Sequence, residues 1–299
     1  MNSNHKKTRE GSFLFQVTEE AELLPFLLEN LKKNSRNSIK SMLTRGQVSV
    51  NGQTITKHNH KLLEGQKVEI LHNKAAKSES SLTGLSIIYE DESIIVIDKE
   101  AGLLSMAAKD KNEKTAFSEV SSYVKKQNPR QRVFIVHRLD RDTSGVLLFA
   151  KSEKVKMQLQ DNWDELVKDR IYAALVQGNV KKEKDTIKSY LKETRTYKVY
   201  SNPTDNGGQL AITHYRKIRA GRQYSLLEVR LETGRKNQIR VHMEEIGHPV
   251  VGDKKYGSTV NPIKRLGLHA TALTIVHPIT NEIMKYESEI PSSFINKSL

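Results

Sequence analysis

Three segments of this chain gather residues able to do chemistry. The first is His137-Arg138-Leu139-Asp140-Arg141-Asp142-Thr143-Ser144-Gly145, set between the apolar runs Val133–Val136 and Val146–Ala150. A loop this polar between buried strands needs many hydrogen-bond partners. It offers a carboxylate nucleophile in Asp140, or an acid–base pair in Asp140 and Asp142. It equally offers a salt-bridged loop in which Asp140 pairs with Arg138 or Arg141. The second segment, Leu231–Met243, carries Gly234, Arg235, Lys236, Asn237, Gln238 and Arg240. Gly234 allows a helix to start close to another backbone. The cations collect where free helix N–H groups also favour anions. Arg235 and Arg240 are five apart, so they do not share a helix face and suit different partners. A solvated basic helix is the plain alternative. The third segment, Lys168–Gly178, puts Tyr172 at a strand start beside basic residues. Taken by itself, Tyr172 reads as a packing side chain.

The elements that must position these residues follow from periodicity. Residues 1–12 read as a flexible basic tail and 13–73 as a compact small domain. Within it, helices are expected at Leu23–Leu31 and Ser38–Arg45. A strand–turn–strand then follows, with Val48 and Val50 alternating before Asn51-Gly52, a tight-turn pair. Arg36, Lys40, Arg45 and Lys57 make its first half basic. Residues 74–83 are small and polar and read as a linker. Residues 84–299 form a larger domain. It opens with strands at Ile87–Tyr89 and Ile94–Asp98. Further strands are expected at Val133–Val136, Val146–Ala150, Tyr172–Gln177, Ala211–Lys217, Tyr224–Leu231 and Leu268–Val276. Helices are expected at Glu153–Leu166, with Val155, Met157, Leu159, Trp163 and Leu166 packing, and at Asn237–Ile246. Strands outnumber helices and tight turns recur. The pattern is α+β, with a mixed, mostly antiparallel sheet, preceded by a small α/β domain.

Composition narrows the partners. Among 299 residues, 36% are hydrophobic and the formal net charge is +14. A balance this basic favours a polyanion, because Lys and Arg release counterions from phosphates. Charge alone does not choose between RNA, DNA and an anionic membrane. The chain has no cysteine, which excludes disulfides, thiolate catalysis and cysteine-ligated zinc. No apolar run reaches the roughly 18 residues that span a bilayer. The first residues lack the apolar core of a secretory signal, so a cytoplasmic protein is expected. No extended apolar face is evident, so a monomer is the default expectation.

Read together, the three segments resemble a known family. His-Arg-Leu-Asp-x-x-Thr-Ser-Gly, then Tyr-x-Ala-Leu-Val-x-Gly, then Thr-Gly-Arg-x-x-Gln-Ile-Arg-x-His-Met are similar to the pseudouridine synthases of the large-subunit rRNA type. Ile87–Lys99, Ala211–Tyr215, Gly247–Gly257 and Leu268–Ala270 extend the resemblance over about residues 84–290. Gly46–Gly52 and Glu64-Gly65 make the small domain resemble the S-four-type RNA-binding domain.

The resemblance implies an isomerase that converts uridines to pseudouridine in ribosomal RNA of the large subunit, or in tRNA. It implies Asp140 as nucleophile, Arg240 as its charge partner and Tyr172 stacked on a flipped base. It implies substrate contacts from His137, Arg138, Arg141, Thr143, Arg235, Lys236, Asn237 and Gln238. Arg141 would be a wedge or phosphate contact, Arg235 and Lys236 phosphate holders, and Asp142 a hydrogen-bonding group within its loop. Arg36, Lys40 and Arg45 would bind RNA phosphates from the small domain. The reaction is redox-neutral, so no cofactor and no metal are expected. The lack of a dinucleotide fingerprint or P-loop agrees with this.

Two positions depart from the family pattern. Lys99 is followed by Glu100 rather than proline, and Asn237 stands where the arginine motif carries histidine. Altered substrate contacts, not lost activity, are expected from these. Two competing readings are an RNA-binding ribosome-assembly factor that keeps the fold without activity, and a hydrolase using Asp140 with Asp142. The basic motifs leave the hydrolase unexplained.

Overall fold

A computed structural model of the chain describes residues 6–7, 12–31, 36–44, 46–71, 82–107 and 113–299. The chain divides into two units: residues 1–81 with the short stretch 89–91, and residues 82–88 with 92–299. Most of the expected basic tail, nearly all of the expected linker, and Arg45 lie outside the described residues.

The first unit contains β1 (Lys6–Lys7), β2 (Ser12–Gln16), β3 (Ala21–Glu22), α1 (Leu23–Asn30), α2 (Arg36–Thr44), β4 (Val48–Val50), β5 (Gln53–Thr54), β6 (Lys61–Leu62) and β7 (Lys67–Leu71). Asn51 and Gly52 both take positive φ, 50° and 81°, as a two-residue hairpin turn demands. The turn sets the β4–β5 register at Val50 opposite Gln53. Leu23 and Leu27 of α1 and Ile39 and Leu43 of α2 are buried with Val48, Val68 and Ile70 of the strands. Arg36 and Lys40 lie one helical turn apart on α2 and are both exposed.

The second unit is built on an 11-stranded sheet. Its elements are β8 (Leu85–Glu90), β9 (Ile94–Lys99), α3 (Ala116–Gln127), β10 (Phe134–Ile135), β11 (Ser144–Ala150), α4 (Glu153–Asp161), α5 (Trp163–Leu166), β12 (Val167–Gln177), β13 (Lys184–Glu193), β14 (Val199–Asn202), β15 (Gln209–Ala220), β16 (Tyr224–Leu231), α6 (Gln238–Glu245), β17 (Leu268–Val276), β18 (Ile283–Glu287) and α7 (Ser292–Lys297). The strand order is β14-β13-β15-β16-β12-β17-β11-β9-β8, with β10 on β11 and β18 on β17. The β11–β17 pairing is parallel, and those of β11 with β9 and β10, β12 with β16 and β17, β13 with β14 and β15, β15 with β16, and β17 with β18 are antiparallel. The sheet is therefore mixed and mostly antiparallel, in an α+β domain.

β11 is buried at all seven positions, as a continuous apolar run inside a sheet should be. Val120 and Val124 of α3 pack there with Ile95, Ile97, Leu147 and Phe149. Farther along the sheet, Ile239 and Met243 of α6 pack with Ala174, Val176, Leu227 and Val229.

Three expectations need correction. The helix expected over Glu153–Leu166 breaks at Asn162, whose amide Nδ2 caps the Gln158 carbonyl at 2.9 Å. Met157, expected to pack, is 45% exposed because it lies two residues from both Val155 and Leu159, on the opposite face of α4 from the buried pair. The strand expected at Tyr172–Gln177 begins five residues earlier, at Val167. Periodicity also left β13, β14 and α3 unread. α3 is announced by Thr115, whose hydroxyl accepts from the Ser118 N–H while the Ser118 hydroxyl accepts from the Thr115 N–H.

Candidate active site

Residues 137–143 form the loop that enters β11, and several groups hold its backbone. Gly145 has φ +108°, and a Cβ there would lie 2.1 Å from the Ala270 carbonyl oxygen. Only glycine lets β11 approach β17 this closely. In the register, Lys99, Gly145, Ala270 and Tyr172 fall on one row across β9, β11, β17 and β12. The sheet thus aligns three parts of the site that are far apart in sequence.

Lys99 is fully buried beneath the loop. Its ammonium donates to the carbonyls of Glu100 at 3.0 Å, Leu103 at 2.7 Å and Arg141 at 3.0 Å. Burial lowers its pKa to about 8, against the opposing pull of Asp142. The Ser105 hydroxyl donates to the Leu139 carbonyl at 2.7 Å and accepts from the Leu139 N–H at 3.1 Å. His137 starts the loop. Its Nε2 accepts from the Leu148 N–H at 3.1 Å, and its ring lies 5.2 Å from Trp163. Burial, and secondarily Arg170, lowers its pKa to about 4, so it is neutral at pH 7.

The loop presents Asp140 to α6. Arg240 Nη1 donates to Asp140 Oδ2 at 3.1 Å, across 100 residues of sequence. The salt-bridged alternatives within the loop do not form. Arg141 pairs instead with Asp142, its Nε 3.0 Å from Oδ1, and both are solvent-facing. Arg240 is 85% shielded and Asp140 about two-thirds shielded.

The guanidinium has a second carboxylate that sequence reading missed. Asp253 is 1% exposed and accepts from Arg240 Nε at 2.6 Å and Nη2 at 2.8 Å. Such bidentate pairing fixes the guanidinium plane. Burial works against the Arg240 charge. The bonds to Asp253 and Asp140 outweigh it and raise its pKa. Beneath the guanidinium lies the fully buried ring of Tyr256, 4.9 Å from Cζ. Asp253 lies in Gly247–Gly257, a segment that carries the family resemblance, but nothing there marks it as the partner of Arg240.

Asn237 is redefined by this network. It is the α6 N-cap at φ +57°, a left-handed conformation that asparagine tolerates. Its Oδ1 accepts from Arg240 Nη1 at 3.1 Å and its Nδ2 donates to Tyr256 Oη at 3.0 Å. The expected substrate contact is thus a bridge holding Arg240 and Tyr256 together. Gln238 needs the same correction. It is 3% exposed. Its Oε1 accepts from Thr233 and the Arg235 N–H, and its Nε2 donates to Ile212 O and Thr213 Oγ1. It fastens α6 to β15. Thr143, at 2% exposure, is likewise scaffold, and His137 Nε2 is engaged by the Leu148 N–H.

The other expected contacts scatter around this centre. Arg235 is exposed, with Nε donating to the Leu210 carbonyl at 3.0 Å. Lys236 is exposed and pairs with Glu193. Arg138 is exposed. Arg36 and Lys40 belong to the other unit. Tyr172 is half-buried and packs with both neighbouring core clusters. Burial raises its pKa, Arg170 opposes the rise and Asp140 adds to it, so the phenol is neutral at pH 7. Arg170, which sequence reading left unassigned, donates to the Glu232 carbonyl at 2.9 Å. A Cβ on Gly234 would meet its Nη1 at 2.4 Å. The glycine therefore makes room for a side chain, not for a helix backbone.

A carboxylate held at one oxygen, near a neutral phenol, suits nucleophilic attack on an electrophilic ring or sugar. The relatives name the reaction class. A family model for RNA pseudouridylate synthase matches residues 93–245. The RNA pseudouridine synthase YhcT of Bacillus subtilis is 30% identical, over 98% of this chain and 97% of its own. Ribosomal large subunit pseudouridine synthase D of Haemophilus influenzae is 30% identical, over 94% of both chains. The Escherichia coli enzyme of that name is 33% identical, over 90% of this chain and 87% of its own. Among solved structures, human RNA pseudouridylate synthase domain containing 1 is 25% identical with a TM-score of 0.56, covering 71% of this chain and 85% of its own. The domain containing 4 protein shares the fold at a TM-score of 0.59 and 20% identity, over 70% of this chain and 90% of its own. With its family motifs converging on one carboxylate–guanidinium centre, the chain belongs to the RNA pseudouridine synthases, isomerases that act on RNA.

Proposed function

We propose that Asp140 is the nucleophile of a cofactor-free isomerisation of uridine in ribosomal RNA of the large subunit, carried out in the cytoplasm. One observation carries this reading: Arg240 is locked by Asp253 on one side and engages only Oδ2 of Asp140 on the other. Asp140 Oδ1 makes no hydrogen bond among the described residues and keeps its lone pairs for reaction. The isomerisation breaks the bond from ribose C1′ to uracil N1 and forms one from C1′ to C5. The proton leaving C5 balances the one gained at N1, so no electrons enter or leave.

The remaining roles follow from burial and charge. The uracil must leave its stack to reach Asp140. Tyr172 supplies a ring against the flipped base and a neutral hydroxyl. Burial opposes its ionisation, which favours stacking and hydrogen-bond donation over a standing phenolate base. Exposed Arg235 and Arg138 suit phosphate contacts. Exposed Arg36 and Lys40 suit the same purpose on the first unit, with affinity falling as salt rises. The large-subunit assignment rests on the names of the H. influenzae and E. coli relatives.

The test uses RNA from cells lacking this protein. Wild-type chain and Asp140→Asn are incubated with it and pseudouridines are mapped. Sites should appear with wild type alone, in the large-subunit RNA. Modification by the Asp140→Asn chain would remove Asp140 from the chemistry. Sites confined to tRNA would remove the ribosomal target.

A further inference from the structure

The turn between β13 and β14 is built around an exposed ring. Tyr197 is 71% exposed and has φ +61°. Bulky residues seldom occupy this left-handed region, and they persist there only when the surroundings impose it. Here they do. The Thr194 N–H donates to Lys198 O at 2.7 Å, the Tyr197 N–H to Thr194 O at 3.0 Å, and the Lys198 N–H to Thr194 Oγ1 at 3.1 Å. From outside the hairpin, Lys255 Nζ donates to the Tyr197 carbonyl at 2.8 Å. Lys236 Nζ lies 5.6 Å from the centre of the Tyr197 ring.

This turn is coupled to the site around Asp140. The Val199 N–H, two residues beyond Tyr197, donates to Tyr256 Oη at 3.1 Å. The same Tyr256 ring lies under Arg240, with Lys198 and Lys255 ammonium groups 5.6 and 5.8 Å from its centre. Arg195, Lys198, Lys236, Lys254 and Lys255 are all exposed around the turn. Glu193 and Glu244 pair with two of them, leaving a positive balance. An exposed ring on a firmly held backbone, among cations, offers what an unpaired nucleobase with its phosphates requires: one π-face to stack on and charges for the backbone.

We propose that Tyr197 is a stacking platform for an unpaired base flanking the target uridine, with the surrounding lysines and Arg195 holding that nucleotide's phosphates. The inference rests on the family activity and extends the RNA path beyond the Asp140 site. It places an anchor on the hairpin that also supports Tyr256.

The experiment separates ring from backbone. Tyr197→Asn removes the ring while keeping a residue that accepts positive φ. Tyr197→Trp restores a larger ring. Full-length chains are assayed for pseudouridine formation on ribosomal RNA from cells lacking the protein. Their binding to a fluorescently labelled single-stranded oligouridylate is measured in parallel. Loss of one stacked base should raise the KM for ribosomal RNA and the Kd for oligouridylate by about 5- to 100-fold in Tyr197→Asn, with a much smaller change in kcat. Tyr197→Trp should stay within a few-fold of wild type, and its indole fluorescence should be quenched on RNA binding. Unchanged KM and Kd in Tyr197→Asn would overturn the proposal. So would a Tyr197→Trp chain as impaired as Tyr197→Asn, which would mean that only the turn geometry matters. Failure of the wild-type chain to modify ribosomal RNA would count against the reaction assigned to Asp140. Oligouridylate binding would still decide the role of Tyr197.

Discussion

Arg240 and Lys99 both anchor the loop that carries Asp140, yet their charges fare differently. Arg240 faces two carboxylates, and its pKa is raised despite burial. Lys99 faces three carbonyl oxygens, and burial brings its pKa down to about 8. Carbonyl dipoles satisfy an ammonium's hydrogen bonds without balancing its charge, whereas carboxylates do both. The role proposed for Asp140 calls for a constant charge on Arg240. Lys99 needs only to donate, binding the Glu100–Leu103 turn to Arg141 so that the loop closes on itself.

Breaking the Arg240 side should have the larger effect. Asp253→Asn removes the charge of a 1%-exposed partner and leaves Asp140 as the one carboxylate on the guanidinium. A loss of about 3–5 kcal/mol of stability is expected, measured by denaturant unfolding, since breaking a buried pair strands the other charge. Pseudouridine formation should fall by about 100-fold or more as the aligned guanidinium loosens. Retention of near wild-type turnover would mean that Asp253 does not align Arg240.

On the other side, Lys99→Met strands three carbonyls but also removes a costly buried charge. The net loss should be smaller, about 1–3 kcal/mol at pH 7. The pH dependence tells the two terms apart. Between pH 8 and 10.5 the folded chain binds fewer protons at Lys99 than the unfolded chain does. Wild-type stability should therefore gain from this group as pH rises through that window, by up to about 3 kcal/mol. The Lys99→Met chain should lack that gain, and identical pH profiles would contradict the buried-ammonium reading.

The smallest effect concerns the Asn237 bridge. Asn237→Gly keeps a residue suited to φ +57° and deletes the contacts to Arg240 and Tyr256. About a tenfold drop in kcat is expected, the equivalent of one hydrogen bond. An effect on KM alone would return Asn237 to a substrate-contacting role.

Much of this arrangement was legible in the residues. Val48 and Val50 before Asn51-Gly52 mark a hairpin because the turn and the alternation are local. The apolar run Val146–Ala150 marks a buried strand for the same reason. β13 and β14 were not legible. Half of Lys184–Glu193 is charged, and its two buried apolar residues find partners from distant elements: Leu191 with Val199, Ala211, Val241 and Tyr256, and Ile187 with Val180 and Tyr215. Tyr197, in the turn between those strands, went unread with them. In the site, Asp140, Tyr172 and Arg240 stood out through motifs. Asp253 lay in a matched segment, Gly247–Gly257, but its role did not stand out, because pairing with Arg240 is made only in the fold.

The sequence by itself determined the family and the mixed α+β class, since motif order, periodicity and turn chemistry are written along the chain. Tertiary structure decided which partner each charge takes. Asp140 lies beside Arg138 and Arg141 in sequence but meets Arg240 in space. Asn237 and Gln238 sit in a substrate-like motif but hold the scaffold. Hydrogen bonds and ion pairs act over a few ångströms, and only the fold brings residues 140, 237, 240, 253 and 256 within that range.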